Sequence, residues 1–260
     1  MKLGVNIDHI AVLREARKIN DPNPLDALGI CKLAGADQIT IHLREDRRHI
    51  QDNDASNIIK LSQLPTNLEC AIEPSMIDIA CSLNPHRVTL VPEKREEVTT
   101  EGGLMVTGDI SRLKNAITKL HEHEIEVSLF IDPTLEAINA SNELEAEWIE
   151  FHTGSYANIY AMLYSNLSST HCTIKELELP REILHQKLRQ ELEKLTILSK
   201  KAHEMNLKVA AGHGLNYQNV IAIADIPHIE ELNIGQSIIA RSVFTGLEKA
   251  ILDMKSLIKK

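Results

Sequence analysis

The sequence predicts an α/β fold, a single closed (β/α)8 barrel over residues 1–260 with extra helical segments, and three observations carry that expectation. Eight short β-branched segments recur along the chain, each followed by a stretch of helical period. The apolar fraction of 43% is enough for one large core, and no linker-like run divides it. An unusual number of the eight segments end in a histidine, an arginine, a carboxylate or a glycine, which is where parallel barrels gather their chemistry.

In chain order, strands are expected near Leu3 to Ile7, Gln38 to His42, Asn67 to Ile72, Arg87 to Val91, Glu126 to Ile131, Trp148 to Phe151, Lys208 to Ala211 and Glu231 to Ile234. Helical patterns occupy Pro24 to Ala34, Ala55 to Leu64, Ser75 to Leu83, Asp109 to Glu122, Thr134 to Ala140, Tyr156 to Tyr164, Arg181 to Met205, Tyr217 to Ala224 and Ser237 to Leu257. Asp109 and Ser237 read as N-caps, Gly35 as a stop after the first helix, and Pro74 as the opening of the third. An open doubly wound sheet is the alternative, but it would carry a glycine-rich fingerprint after the first strand, where Asn6-Ile7-Asp8-His9 stands instead. One connection is out of scale: Tyr164 to Pro180 is polar and weakly patterned, and reads equally as a lid, a spacer or a subunit contact.

Composition narrows the function. A formal net charge of -9, with one Trp, four Tyr and three Phe, argues against a nucleic-acid surface, which needs a basic face and stacking rings. No apolar run approaches a membrane span, and the N-terminus enters a strand pattern almost at once, leaving no room for a signal peptide. A soluble, cytoplasmic protein is expected. The four cysteines lack C-x-x-C spacing and read as small hydrophobic residues, so no metal site is indicated.

The second strand and its sequel, residues 39–50, run from β-branched alternation into a knot of arginines, carboxylates and histidines. On an acidic chain, Arg44 and His49 suggest an anion site, with Arg17 from the first loop and Thr99 from the loop after strand four as candidates to join it. The bland alternative is a solvated loop whose charges neutralise one another. Other strand ends hold Asn6, Asp8 and His9, then His42, Glu69, Glu150 and His152, Gly212-His213-Gly214, and Asn233, Gly235 and Gln236. Glu69 lies among apolar neighbours; pointing inward it would be poorly solvated, with a raised pKa suited to proton transfer. His42 and His213 can do the same work from different strands. The glycine-containing turns at 212–214 and 235–237 offer backbone N–H groups for a phosphate, the second at a helix N-terminus. Two anion sites imply two phosphorylated ligands, or one phosphorylated at both ends.

The runs G-V-N-I-D-H-I at 4–10, H-L-R-E-D-R-R-H-I at 42–50, L-V-P-E-K-R-E-E-V-T-T-E-G-G at 90–103, S-L-F-I-D at 128–132, H-T-G at 152–154, A-G-H-G-L at 211–215 and L-N-I-G at 232–235 together closely resemble the pyridoxine 5'-phosphate synthase family. The resemblance covers essentially the whole chain. It implies an eight-stranded TIM barrel and a synthase of the transferase class, condensing 3-amino-2-oxopropyl phosphate with 1-deoxy-D-xylulose 5-phosphate to pyridoxine 5'-phosphate, phosphate and water. Carried over by motif, it implies His42 and Glu69 as proton acceptors, His213 as proton donor and Glu150 as transition-state stabiliser. It further implies that Asn6, Arg17, Gly214, Gly235 and Gln236 hold the amino-ketone phosphate, and that Asp8, His9, Arg44, His49 and Thr99 hold the sugar phosphate. Gln236 stands where the family often has His, and Ala210 where a relative can have Asn. The resemblance calls for no cofactor and no metal. The implied partners are two phosphorylated small molecules and further copies of the chain in a symmetric homo-oligomer, commonly an octamer in the family; no nucleic acid and no membrane are implied. The rivals are a phosphosugar aldolase or lyase forming a Schiff base on Lys94, a metal-dependent barrel hydrolase, for which the usual H-x-H on strand one is absent, and a non-catalytic phosphosugar-binding protein.

Overall fold

The computed structural model describes residues 1–94 and 102–259. Eight parallel strands, β1 (Lys2–Asn6), β2 (Gln38–His42), β3 (Thr66–Cys70), β4 (Arg87–Leu90), β5 (Glu126–Ile131), β6 (Trp148–His152), β7 (Lys208–Gly212) and β8 (Ile229–Ile234), pair in sequence order, and β8 returns to β1 to close the barrel. Around it run α1 (Asp8–Arg17), α2 (Ala27–Leu33), α3 (Asp52–Leu61), α4 (Pro74–Leu83), α5 (Ile110–His121), α6 (Leu135–Glu143), α7 (Gly154–Tyr164), α8 (Arg181–Glu204), α9 (Val220–Ala224), α10 (Gln236–Thr245) and α11 (Leu247–Ile258).

Period-2 alternation divides each strand between two environments. The outward set, including Leu3, Val5, Ile39, Ile41, Leu68, Val88, Val127, Leu129, Ile149, Val209 and Leu232, is fully buried beneath the helices. Each such side chain contributes about 1.5–3 kcal/mol of burial. The inward set is largely polar, with Trp148 and Ala210 among it: Gln38, Thr40, Asn67, Arg87, Thr89, Ser128, Glu231 and Asn233 are all buried. Arg87 of β4 reaches across to Glu231 of β8 at 2.7 Å and lies over the Trp148 ring at 3.8 Å. Gln38 donates to Glu231 at 3.2 Å, Thr40 donates to Asn233 at 3.3 Å and Thr89 donates to Asn67 at 2.9 Å. Gly4 makes room for this network, because a Cβ there would lie 2.0 Å from Asn233 Oδ1.

Three local expectations change. Helix α1 begins directly after β1, where a loop was expected; its inner face is carried by Ala11 and by Arg14, whose guanidinium bonds both oxygens of Asp54 at 2.9 and 2.6 Å, so the helix lacks an apolar stripe to announce it. The single last helix is two, α10 and α11, broken at Gly246, whose φ of +80° L-residues avoid. Ser237 is not an N-cap: α10 starts one residue earlier, behind Gly235, and the Ser237 hydroxyl donates to the Leu215 carbonyl at 2.8 Å. The expected roles of Asp109, Gly35 and Pro74 are met: the Asp109 carboxylate accepts from Arg112 N, Gly35 turns the chain at φ +85°, and Pro74 opens α4. Cys31, Cys70 and Cys81 are buried as expected, whereas Cys172 is exposed.

Of the long connection after α7, residues 167–169 and 175–177 form short 3-10 turns, and Leu167, Ile174 and Leu177 pack on the core. Ile174 and Leu177 wall a separate pocket of about 380 Å³ against α7 and α8. Among the described residues, no helix is long and apolar enough to cross a membrane.

Breaking a buried pair strands a charge, at about 3–5 kcal/mol, whereas replacing both partners by apolar groups costs far less. Glu231→Ala is therefore expected to destabilise the chain by about that amount in urea unfolding, and Arg87→Met with Glu231→Leu by clearly less. A Glu231→Ala loss below about 1 kcal/mol would contradict this account of the interior.

Candidate active site

At the carboxyl ends of the strands the barrel opens into a cavity of about 830 Å³, whose lining includes Asn6, His9, His42, Arg44, Glu69, Glu150, His152, His213, Gly214, Asn233, Gly235 and Gln236. Ten of the fourteen residues predicted for the site from sequence thus share one chamber: the four catalytic candidates and Asn6, His9, Arg44, Gly214, Gly235 and Gln236. Asp8, Arg17 and His49 do not line it, and Thr99 lies outside the described residues.

On the β1–β4 side, register sets His42 opposite Glu69, with Nδ1 3.8 Å from a carboxylate oxygen. The other ring nitrogen, Nε2, meets Glu93 at 2.9 Å. Asp8 sits behind them: its carboxylate accepts from the His42 backbone N–H at 2.9 Å and from the Asn6 amide at 2.9 Å, so Asp8 shapes the wall without facing the cavity. Burial acts differently on each acid. Glu69 is pushed well above the usual carboxyl range by burial, then by the nearby charges of Glu150 and Asp8. Burial also lifts Asp8 to about 6, offset in part by His42, Asn6 and Arg44. Burial would lift Glu93 too, but the His42 contact, the Glu45 N–H and Arg44 outweigh it and hold the group below the usual range.

Arg44 is 3.6 Å from both Asp46 and Glu93, and its buried Nε has no hydrogen bond; His9 Nδ1 is likewise buried without one. Such groups favour an incoming anion. His49 stands behind, its ring centroid 6.2 Å from that of His42. Burial, followed by the charges of His42, Arg44, His9 and Arg48, pushes its pKa down to about 4. Its Nδ1 accepts from Ile50 N at 2.9 Å, which leaves the hydrogen of the neutral ring on Nε2. The other arginines follow the bland alternative: Arg47 pairs with Asp52 at 2.9 Å and Arg48 with Asp46 at 2.6 Å. Arg17 was expected in the first loop, but the unexpected helix α1 ends on it and leaves it exposed, away from the cavity.

On the β6–β8 side, Glu150 accepts from Asn233 at 2.7 Å, and burial lifts it to about 7 against that bond and the pull of Arg87. Gly212 gives it space, since a Cβ there would fall 2.1 Å from Glu150 Oε1. His213 and Gly214 both take positive φ, +77° and +79°, and the Thr153 hydroxyl braces the turn against the Gly212 and His213 carbonyl oxygens at 2.7 and 2.6 Å. Burial, then His152, keep the His213 pKa below its ordinary value. The His152 ring meets that of His213 edge-on at 4.7 Å and lies 3.3 Å from Asp132. Gln236 opens α10, so its N-terminal N–H groups face the cavity rim.

Sequence reasoning gave no role to Glu93 or to the His152–Asp132 pair, although each lies in a quoted motif at the end of a strand or just past it. A carboxylate following Pro92 at the end of β4 is the signal that could have found the first. Lys94, the Schiff-base candidate, is bound by Glu73 and lies 3.9 Å from Glu45, and it does not line the cavity.

The family model for "Pyridoxal phosphate biosynthesis protein PdxJ" matches residues 3–260. A pyridoxine 5'-phosphate synthase of Sulfurovum sp. (strain NBC37-1) is 74% identical over 258 residues, covering 99% of this chain and 100% of that protein. One of Aliarcobacter butzleri (strain RM4018) is 70% identical over 259 residues, covering 100% and 99%. Among solved structures, 3-hexulose-6-phosphate synthase superposes with a TM-score of 0.61 at 13% identity over 100% of both chains, a likeness of fold alone. With a match that spans the barrel from its first strand to its last helix, the chain belongs to the PdxJ family of pyridoxal phosphate biosynthesis proteins.

Proposed function

We propose that this chain acts as a pyridoxine 5'-phosphate synthase, condensing 3-amino-2-oxopropyl phosphate with 1-deoxy-D-xylulose 5-phosphate and releasing phosphate and water. The observation that carries this reading is one cavity that gathers His42, Glu69, Glu150 and His213 between an arginine–histidine wall and a helix N-terminus. The amine of one substrate attacks the carbonyl of the other, so the imine forms between substrates and no enzyme lysine is required. His42 takes a proton from the assembling ring system, and Glu69, made a stronger base by the burial that raises its pKa, is the second proton acceptor 3.8 Å away. His213 returns a proton on the far side. A phosphate dianion beside Gly214 supplies the negative charge that favours its protonated form, which burial and His152 disfavour. Glu150 faces the positive charge that develops on the imine nitrogen.

The amino-ketone phosphate is assigned to Asn6, Gly214, Gly235 and Gln236 at the head of α10, and the sugar phosphate to Arg44 with His9 and the Nε2–H of His49. Arg17, Asp8 and Thr99 keep only the roles the motif resemblance implies. The chain is assigned to the cytoplasm. Exposed Val243, Phe244 and Leu252 on α10 and α11 offer an apolar face for a symmetric homo-oligomer, an octamer on the family's pattern. Sedimentation is expected to show an assembly at micromolar concentration, and a monomer there would remove the oligomer.

Formation of pyridoxine 5'-phosphate from the two substrates by the purified protein tests the function; tight binding without turnover would return the protein to the phosphosugar-binding class. Arg44→Ala is expected to raise KM for the sugar phosphate about tenfold to a hundredfold, the loss of one charge-assisted contact, with little change for the amino-ketone phosphate. Equal weakening of both would contradict the assignment.

Glu150 also predicts a dependence of stability on pH. Its folded pKa, about 7, lies above the ordinary carboxyl value, so the stability linked to its proton is present below about 4.5 and is lost as pH rises through about 7. Glu150→Gln keeps a carbonyl acceptor for Asn233 and removes the buried charge. Thermal melts should show the variant above the parent at pH 8 and the difference shrinking by pH 5. A variant that melts lower at both pH values would show that the carboxylate is stabilising.

A further inference from the structure

We propose that Glu93 is a positioning residue for the reaction, holding His42 with its hydrogen on Nε2 so that the Nδ1 lone pair faces Glu69 and the substrate. The inference rests on the reading that His42 takes a proton. Glu93 stands just past β4, and three groups grip its carboxylate. One oxygen lies 2.9 Å from His42 Nε2, the other accepts from the Glu45 backbone N–H at 3.1 Å, and the Arg44 guanidinium lies 3.6 Å away. The side chain is 4% exposed. A carboxylate so held has little freedom to turn, and ionised it can only accept, so the ring nitrogen opposite it must carry the hydrogen.

The rest of the surroundings agree. Asp8 of α1 fixes the backbone of His42 through its N–H at 2.9 Å, and Glu69 of β3 faces Nδ1 at 3.8 Å. His49 presents its ring from the following loop, centroid to centroid 6.2 Å. The two glutamates are not equivalent. Glu69, raised by burial, stands 3.8 Å from Nδ1, too far to occupy its lone pair, whereas Glu93 is held below the usual carboxyl range and can only receive from Nε2. When Nδ1 takes a substrate proton, the bonding pair stays on the substrate, an N–H bond forms, and the new imidazolium charge faces Glu93. This is the division of labour between base and orienting carboxylate in Ser-His-Asp enzymes, where the amide in place of the carboxylate leaves the shape intact and stabilises the wrong tautomer.

Glu93→Gln isolates this role, because the amide can still accept from Glu45 N while it can also donate to the ring. Steady-state kinetics are expected to show kcat lower by about a hundredfold or more with both KM values within about threefold. Nitrogen-15 NMR of histidine-labelled protein, with the His42 signals assigned by their loss in His42→Asn, is expected to show the Nε2–H tautomer in the parent and the Nδ1–H tautomer in Glu93→Gln. A kcat within threefold of the parent, a rise only in the sugar-phosphate KM, or an Nδ1–H tautomer in the parent would each overturn the proposal. If the parent makes no pyridoxine 5'-phosphate, the functional reading fails instead, and the tautomer measurement still decides whether Glu93 orients His42.

Discussion

A charged side chain shut inside the barrel must be paired, and Arg87 meets that constraint by crossing to Glu231 while its guanidinium lies on the Trp148 ring. Much of the interior follows from it. Glu231 also takes a bond from Gln38, Thr40 donates to Asn233, and Asn233 donates to Glu150 at the cavity floor. The polar column that fills the barrel thus ends on a carboxyl group of the candidate active site. The apolar core lies outside the strands, between sheet and helices, which frees the inward positions for hydrogen-bonding chemistry.

In the cavity and behind its wall, carboxyl groups of the same chemistry are driven apart by their surroundings. Glu69 and Asp8 are raised by burial, Glu150 sits near 7, and Glu93 stays low because His42, Arg44 and a backbone N–H favour its charge. A site that must both take and give protons needs groups of differing acidity, and burial with selective pairing supplies them. His213 carries a different cost. Its left-handed backbone is unfavourable for a side chain of that size, and the Thr153 hydroxyl and the neighbouring glycine sustain it.

What the chain determined by itself was local and periodic. Alternation placed all eight strands to within a few residues, because one face of each meets the helices and the other the polar interior. Strand-end position identified twelve of the cavity's residues, ten of them among the predicted site residues, since in a parallel barrel the carboxyl ends converge whatever the loops do. Helix α1 was hidden because a buried Arg14–Asp54 pair replaces an apolar stripe, and the break at Gly246 because α10 and α11 share one continuous hydrophobic rhythm. Only tertiary structure could decide the pairings. That Glu93 rather than Glu45 or Asp46 meets His42, and that Arg44 rather than Arg47 or Arg48 lines the cavity, depend on how neighbouring strand ends and loops approach one another. The side-by-side packing of β2, β3 and β4 brings together residues far apart in sequence, and no local pattern encodes that approach.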